Sequence, residues 1–288
     1  MQNIPIPDRL NLNFIDYRFI AELFSTIESS IDTVIILDFS NCKYYDAGFI
    51  AFLGGIYDYF KGCGKHIYLN FPYSSVVKRY FCNSGLYSYI CADTSMQPNQ
   101  NAVPFCNIKI VDFNVTNNYT NKFMELAPIA LSEGAKQFIS TNIIELFTNA
   151  IDHSESPLGC YACGHWMPKH NTLVFSVYDS GIGIPNKIKR KFQGYSSEDA
   201  IEWALQRGHS TIQLENDIPR GLGLYNLKDF IRLNKGTLRI LSNDIYYEYS
   251  DGGSETFKVI NHPIHGTLIT MKVLPDSANL YCLKGEQV

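Results

Sequence analysis

The sequence predicts an α/β protein built from two successive α/β units. Strand and helix patterns alternate over residues 1–90, which is typical of strands joined by helical connections. Residues 92–104 are polar and contain two prolines, a composition that favours a linker. Helical and strand patterns resume after it. We therefore expect a first domain at 1–95, a linker with its following strand at 96–115, and a second domain at 116–288.

Composition limits the class of protein. Hydrophobic residues make up 45% of the 288 residues and charged residues 18%, a balance that favours a sizeable core over disorder. The formal net charge of −4 indicates no general attraction to nucleic acid or anionic membranes. The most apolar segment, Gly48–Tyr57, is too short to span a bilayer, and Met1–Leu10 does not resemble a signal peptide. We expect a cytoplasmic protein that binds neither nucleic acid nor membrane directly.

The elements of the first domain follow from apolar periodicity. Phe14–Ile31 has apolar residues on one helical face, and Thr33–Phe39 is a β-branched run typical of a buried strand. Asp46–Phe60 is apolar nearly all round, which predicts a buried helix. A strand at Lys65–Phe71 completes the pattern together with a third helix, which Pro72 and Ser74-Ser75 open, which runs to about Phe81 and which Gly85 closes.

The second domain begins with a strand predicted at Cys106–Val115 and a helical pattern from Asn121 to His153. The apolar run Thr172–Val177 predicts a further strand. Ser197–Gln206 predicts a short helix that begins with a near capping box at Ser196.

The segment from Glu145 to Asp152 carries the first candidate site. Glu145 and Asn149 are four residues apart, so on a helix their side chains lie on one face. Asn149 offers an amide oxygen to a Mg²⁺ ion that already binds phosphate oxygens. Glu145 could orient or deprotonate a water or hydroxyl group that attacks a γ-phosphate. Asp152 is a further candidate contact, but taken by itself this motif is better explained as a solvated helical face.

The second motif follows the strand at 172–177. Asp179 lies at the strand end, where a carboxylate can accept a hydrogen bond from the amino group of adenine. Gly181 and Gly183 let the backbone turn sharply and approach a planar ring. An ordinary turn is the alternative interpretation of these residues.

Glycines before a helical pattern form the third motif. Its residues are Arg220, Gly221, Leu222, Gly223 and Leu224. Backbone N–H groups at a helix N-terminus bind phosphate, and Arg220 could add a charge-assisted contact. The fourth motif is Gly266-Thr267 at the start of a strand, where Thr267 could reach the adenine. Each of these two motifs is weak when taken alone.

In this order and spacing, the four motifs resemble the N, G1, G2 and G3 boxes of the GHKL superfamily, which includes histidine kinases, DNA gyrase and the HSP90 chaperone. The resemblance covers the second domain. It implies a layered α/β sandwich, the Bergerat fold, with ATP and Mg²⁺ held between helices and one face of a mixed sheet. It also implies that residues 186–219 form a lid over the phosphates.

The first motif indicates which group within the superfamily the second domain resembles most. A glutamate four residues before the asparagine, here Glu145, resembles the anti-sigma-factor serine kinases, gyrase and HSP90, in which it serves as catalytic base. The segment Thr148–His153 is most similar to the anti-sigma-factor serine kinases. Sensor histidine kinases also need a phosphoaccepting histidine on a helix before this domain, and no histidine lies between residues 67 and 152. We therefore do not expect a conventional autophosphorylating histidine kinase.

A second similarity lies in the first domain. It rests on Val34–Ser40, on Tyr45–Gly48 leading into a helix, and on the segments 62–71 and 84–86. These segments resemble a STAS domain, the fold of anti-anti-sigma factors. In its regulatory members the serine or threonine after the aspartate at the helix start is phosphorylated. Ala47 stands at that position, so we expect a degenerate phospho-switch.

We therefore expect an ATP- and Mg²⁺-binding regulatory protein, of the serine-kinase or ATPase kind, that acts through a protein partner of the anti-sigma type. A nucleotide-dependent protein-binding switch without catalysis is the main alternative. A chaperone-like ATPase is a further one, although only about fifteen residues follow the last predicted strand. The sequence leaves a homodimer open. We expect the first domain to dock on the lid, 186–219, in a nucleotide-dependent manner.

Cys160 and Cys163, with His165 and His170 nearby, raise the alternative of a zinc site. Residues three apart on a strand face opposite sides of the sheet. No second cysteine pair lies nearby to complete four ligands. Packing is therefore the expected role of these cysteines.

Overall fold

The computed structural model describes residues 1–93, 98–126, 130–209, 223–233, 235–250, 252–274 and 280–281. Its N-terminal part alternates short strands with helices, as the sequence predicts. The elements are β1 (Gln2–Pro5), β2 (Arg9–Leu10), α1 (Phe14–Ser29), β3 (Val34–Asp38), β4 (Tyr44–Tyr45), α2 (Ile50–Gly62), β5 (His66–Asn70), α3 (Val76–Ser84) and α4 (Leu86–Cys91).

Three N-terminal strands form a parallel sheet in the order β1-β3-β5. The sequence did not indicate β1, because only Ile4 of its four residues is buried and no alternation is visible. The predicted third helix is confirmed at both ends. The Ser75 side chain accepts a hydrogen bond from the backbone N–H of Lys78, and Gly85 ends α3 with a φ of 85°.

The C-terminal part is built on a seven-stranded sheet in the order β12-β11-β10-β13-β9-β8-β6, flanked by helices. Every pairing described in this sheet is antiparallel, whereas the family resemblance implies a mixed sheet. The elements are β6 (Ala102–Ile108), α5 (Phe113–Leu126), β7 (Ala130–Leu131), α6 (Glu133–Thr148), β8 (Cys160–Met167), β9 (Thr172–Asp179), α7 (Ile184–Lys191), α8 (Ser197–Ala204), α9 (Gly223–Leu233), β10 (Thr237–Ser242), β11 (Ile245–Tyr249), β12 (Glu255–Val259), β13 (Thr267–Val273) and β14 (Leu280–Tyr281).

Two predicted elements differ from the structure near the start of this part. The strand predicted at 106–115 is β6, which ends at Ile108, and α5 already begins at Phe113. The helical pattern from 121 to 153 is divided between α5 and α6, since β7 lies between them and the Ser132 side chain then caps the N-terminus of α6. The predicted helix at 197–206 is confirmed as α8 with its capping box.

Side chains of the seven-stranded sheet alternate between two buried faces, as the pleat of a strand requires. One face packs against α5, α6 and α9, and it includes Val177 and Ile269. The other face includes Tyr178, which follows Val177 in β9, and Leu268, which precedes Ile269 in β13. This face packs against the N-terminal part. The nucleotide-binding boxes predicted from the sequence belong to the first face.

The N-terminal part covers the second face through α1 and α2. Helix α2 lies between the two sheets and contacts both β5 and β8. This explains why its sequence is apolar nearly all round. The two parts thus share one core, and polar groups also join them: Tyr17 hydrogen-bonds to Thr270, and the Tyr161 hydroxyl donates to Asp58 at 2.8 Å.

This arrangement corrects one expectation from the sequence. The first domain was expected to dock on the lid at 186–219, of which 210–219 lie outside the described residues, but the described residues of α1 and α2 pack on the sheet face opposite the helices. The physical reason is that the second sheet face is apolar and needs a cover.

Within the described part of the chain, no helix is long and apolar enough to cross a membrane.

Candidate functional site

Asp179 and Thr267 stand at the centre of the candidate site. Asp179 is the last residue of β9 and Thr267 the first of β13, and they are directly opposite each other in the antiparallel pairing. The Asp179 side chain is buried, and the backbone N–H of Gly181 donates to its Oδ1 at 2.9 Å. The structure therefore brings together the predicted acceptor of the second motif and the threonine of the fourth.

The carboxyl group of Asp179 has an unusual environment. Burial raises its pKa to about 7, although the backbone N–H groups of Gly181 and Thr267 and the nearby Lys187 act in the opposite direction. A buried carboxylate of this kind gains from a further hydrogen-bond donor, since each bond to the charged form compensates for lost solvation. The site thus suits a ligand with a neutral amino group.

At the two glycines of the second motif, neighbouring atoms occupy the space that a side chain would need. A Cβ atom on Gly181 would lie 2.0 Å from the carbonyl oxygen of Ser154. Gly183 has a φ of +80°, and a Cβ atom there would lie 2.4 Å from Oδ1 of Asn243. Both glycines are needed because neighbouring segments press against the loop that follows Asp179.

Three residues that the sequence motifs did not include hold this loop. The Ser154 carbonyl accepts from the backbone N–H of Ile182 at 2.7 Å. Ser242 Oγ accepts from the backbone N–H of Ile184 at 2.9 Å and also lies 2.8 Å from Thr267 Oγ1, and Asn243 Nδ2 donates to the carbonyl of Ile182 at 3.0 Å.

Part of this arrangement had a signal in the sequence. Asn243 has a φ of 50° in the two-residue connection between β10 and β11, and an asparagine there is a recognised hairpin signal. The sequence contains no comparable signal for the contact between Asn243 and the loop after Asp179.

The first motif lies at the C-terminal end of α6. Glu145 and Asn149 are both partly exposed, and the helical spacing predicted for them is confirmed. At Asn149 the α-helix becomes a π-helical turn, Asn149–His153, and the backbone N–H of Asn149 donates to the carbonyls of both Glu145 and Leu146. Such turns are frequent at functional sites.

The π-helical turn has a direct structural consequence. It packs against β9 and delivers Ser154 to the loop at Gly181. The first and second motifs are therefore in contact. Asp152 lies on the same turn with its side chain exposed.

The third motif is only partly described. Arg220, Gly221 and Leu222 lie outside the described residues. Gly223 and Leu224 begin α9, which packs against α6. The start of α9 thus lies on the helix that neighbours the Asn149 helix, and backbone N–H groups at a helix N-terminus can bind phosphate.

Both cysteines of β8, Cys160 and Cys163, are buried. Cys160 faces the helical layer, whereas Cys163 faces the N-terminal part, which confirms that residues three apart on this strand lie on opposite faces. Over the described ranges, no group of three or more His, Cys, Asp or Glu side chains is arranged to hold a metal ion.

Comparison with known proteins agrees with this geometry. Residues 134–276 match the family described as histidine kinase-, DNA gyrase B-, and HSP90-like ATPases. The matched region contains α6 from its second residue onward, the π-helical turn, Asp179 and Thr267. Among curated proteins, no sequence matches the chain significantly. Residues 134–276 therefore form an ATPase domain of the histidine kinase, DNA gyrase B and HSP90 type.

Proposed function

We propose that this chain is a regulatory protein that binds ATP and Mg²⁺ in the site around Asp179 and acts through a protein partner. The observation that carries the proposal is the buried Asp179 carboxyl group opposite Thr267, inside a domain of an ATPase family. Its acceptor oxygens suit the amino group of adenine. The Thr267 hydroxyl supplies a second polar contact beside it.

The remaining candidate residues fit the other parts of ATP. The N–H groups at Gly223 and Leu224, and the adjoining Arg220, Gly221 and Leu222, would hold phosphate oxygens. Asn149 would offer its amide oxygen to Mg²⁺, whose other ligands would be phosphate oxygens and water. Asp152, on the same π-helical turn, is a candidate contact at this end of the site.

Glu145 supports turnover of the nucleotide. It lies one helical turn before Asn149 and is partly exposed, so it can reach a water or hydroxyl group near the phosphates. As a general base it would take a proton from that group and pass it to solvent. This favours a serine-kinase-like or ATPase activity.

The N-terminal part supports a role in regulation, as a degenerate STAS-like domain paired with its own ATPase domain. Its parallel sheet and the Asp46-Ala47-Gly48 turn into α2 agree with that resemblance. Ala47 is buried and has no hydroxyl group, so phosphorylation at this position is excluded. The partner would be a protein of the anti-sigma type.

The test is to incubate the purified chain with γ-labelled ATP and Mg²⁺ in a cell extract, and to map any labelled residue. Label on a protein serine that disappears with Glu145→Ala supports the serine-kinase-like activity. Phosphate release without labelling supports an ATPase. ATP binding without either outcome supports a nucleotide-dependent protein-binding switch, and absence of ATP binding contradicts the proposal as a whole.

A further inference from the structure

Tyr178 precedes Asp179 in β9 and faces the opposite side of the sheet. Its side chain is fully buried under α2, where the ring of Phe52 meets it edge-on at 5.0 Å. Gly55 permits this contact, since a Cβ atom there would lie 2.3 Å from Cδ1 of Tyr178. The Tyr178 hydroxyl donates to the backbone carbonyl of His265 at 3.0 Å. Tyr178 thus joins β9 to the segment that leads into β13.

His265 is fixed by the N-terminal part. Its ring stacks on Phe24 of α1, with centroids 5.5 Å apart and planes at 26°. Its Nε2 lies 3.2 Å from Oε1 of Glu28, and its Nδ1 lies 3.3 Å from the hydroxyl of Tyr59. Residues of both α1 and α2 therefore determine where the backbone of His265 lies.

The next two residues belong to the candidate adenine site. Gly266 has a φ of +80°, and a Cβ atom on it would lie 1.8 Å from the carbonyl oxygen of Asp179. Thr267 follows directly. Because the backbones of Gly266 and Asp179 are in contact, a displacement of His265 changes the position of Thr267 relative to the Asp179 carboxyl group.

We propose that Tyr178 and His265 are positioning residues that set the preference of the site for adenine, acting from the side of the sheet that faces the N-terminal part. This inference rests on the proposed function, because it assumes that Asp179 and Thr267 contact the adenine. The proposed phosphate contacts lie on α9 and at the end of α6 rather than on β9 or the segment at Gly266. Loss of the Tyr178–His265 hydrogen bond therefore affects recognition of the base and leaves phosphate binding unchanged.

The experiment uses the full chain and two nucleotides. Inosine triphosphate carries an oxo group where ATP carries the amino group, so it cannot donate at that position to Asp179. Wild type is expected to prefer Mg·ATP. Tyr178→Phe keeps the ring but removes the hydroxyl, and we expect its affinity for ATP to fall roughly three- to tenfold while its affinity for inosine triphosphate stays unchanged.

Tyr246→Phe is the matched control. Tyr246 is buried in the same interface and its hydroxyl donates to Glu248 at 2.6 Å, three strands away from β9. We expect it to leave the affinities for both nucleotides unchanged. Glu28→Ala, which removes the exposed partner of His265, is a second variant with little risk to folding. It is expected to lower the preference for ATP in the same direction, by roughly two- to threefold.

Equal losses for both nucleotides in Tyr178→Phe would show that Tyr178 only supports the fold, and would overturn the inference. Unchanged affinities in both Tyr178→Phe and Glu28→Ala would also overturn it. A wild type that binds neither nucleotide would instead contradict the proposed function. If wild type binds both equally, ATP binding stands, but the adenine contact of Asp179 and this inference both fail.

Discussion

Tyr178 and Asp179 are consecutive residues of β9 whose side chains lie on opposite faces of one sheet. Tyr178 is buried against the N-terminal helices, and Asp179 faces the ATPase helices with its carboxyl group buried. The strand thus belongs equally to the core shared with the N-terminal part and to the candidate nucleotide site.

The shared core predicts a single cooperative unfolding transition for the full chain. Removal of residues 1–97 would expose Tyr178, Leu268 and the rest of the second sheet face to water, so the 98–288 fragment should aggregate or lose its sharp transition. Scanning calorimetry checks this, since the calorimetric and van't Hoff enthalpies agree when unfolding is two-state. Two separate transitions, with a stable and soluble 98–288 fragment, would show that the two parts fold independently.

The environment of Asp179 predicts a pH dependence of stability. Burial raises the pKa of Asp179 to about 7, above its value of 3.8 when exposed, so the folded chain binds more protons than the unfolded chain between these values. This contribution is fully present below about pH 4 and is lost as the pH rises through 7, by about 4 kcal/mol over the whole range.

Asp179→Asn removes this titration. Urea unfolding of both proteins from pH 4.5 to pH 7.5 should therefore show the stability of wild type falling relative to that of the variant. Parallel curves for the two proteins would mean that the Asp179 carboxyl group is not desolvated in the folded chain.

Gly181→Ala should weaken ATP binding and destabilise the fold. A methyl group at this position collides with the Ser154 backbone, which cannot move without shifting the π-helical turn. We expect a loss of about 1–3 kcal/mol of stability, together with a tenfold or greater loss of ATP affinity. Gly62→Ala is the matched control, because nothing lies within 4 Å of its Cβ position and alanine favours a helix. Similar behaviour of the two variants would contradict the close packing of these motifs.

Glu145→Ala should retain ATP binding and lose turnover. A well-placed general base contributes about 10²–10⁴-fold to a rate, and removal of a partly exposed side chain leaves the fold intact. Glu133→Ala is the control, since Glu133 is an exposed residue in the first turn of the same helix that pairs with Lys136. The measurement is phosphate release or transfer at saturating ATP. Undiminished turnover in Glu145→Ala would exclude Glu145 as the base.

Local elements could be predicted from the sequence because their signals are local. The helix starts at Ser75 and Ser196 and the helix end at Gly85 depend on side chains within a few residues, and all three are confirmed. The apolar circumference of α2 predicted that it is buried. It could not indicate that the cover is a second sheet, since periodicity identifies faces but not their partners.

Only part of the candidate site could be predicted from the sequence, for a similar reason. The motifs identified Asp179 and Thr267, but their pairing joins strands far apart in the chain. The π-helical turn Asn149–His153 adds one residue to a helical turn, and a pattern with a period of 3.6 residues does not reveal this. The contacts of Ser154, Ser242 and Asn243 depend on how three separate segments meet. Periodicity and turn signals contain no such information.

The most direct test of the central claim is a calorimetric titration of Mg·ATP into the full chain and into Asp179→Asn. The side chain of asparagine keeps one oxygen but loses the negative charge, and a hydrogen bond to a charged group is worth about 1.5–3 kcal/mol. Asp8→Asn, at an exposed position in the N-terminal part, controls for the loss of one carboxylate. The account predicts ATP binding to wild type and Asp8→Asn, with an affinity roughly ten- to a hundredfold lower in Asp179→Asn. Equal ATP affinity in all three proteins would contradict the assignment of Asp179, and no binding by wild type would contradict the account itself.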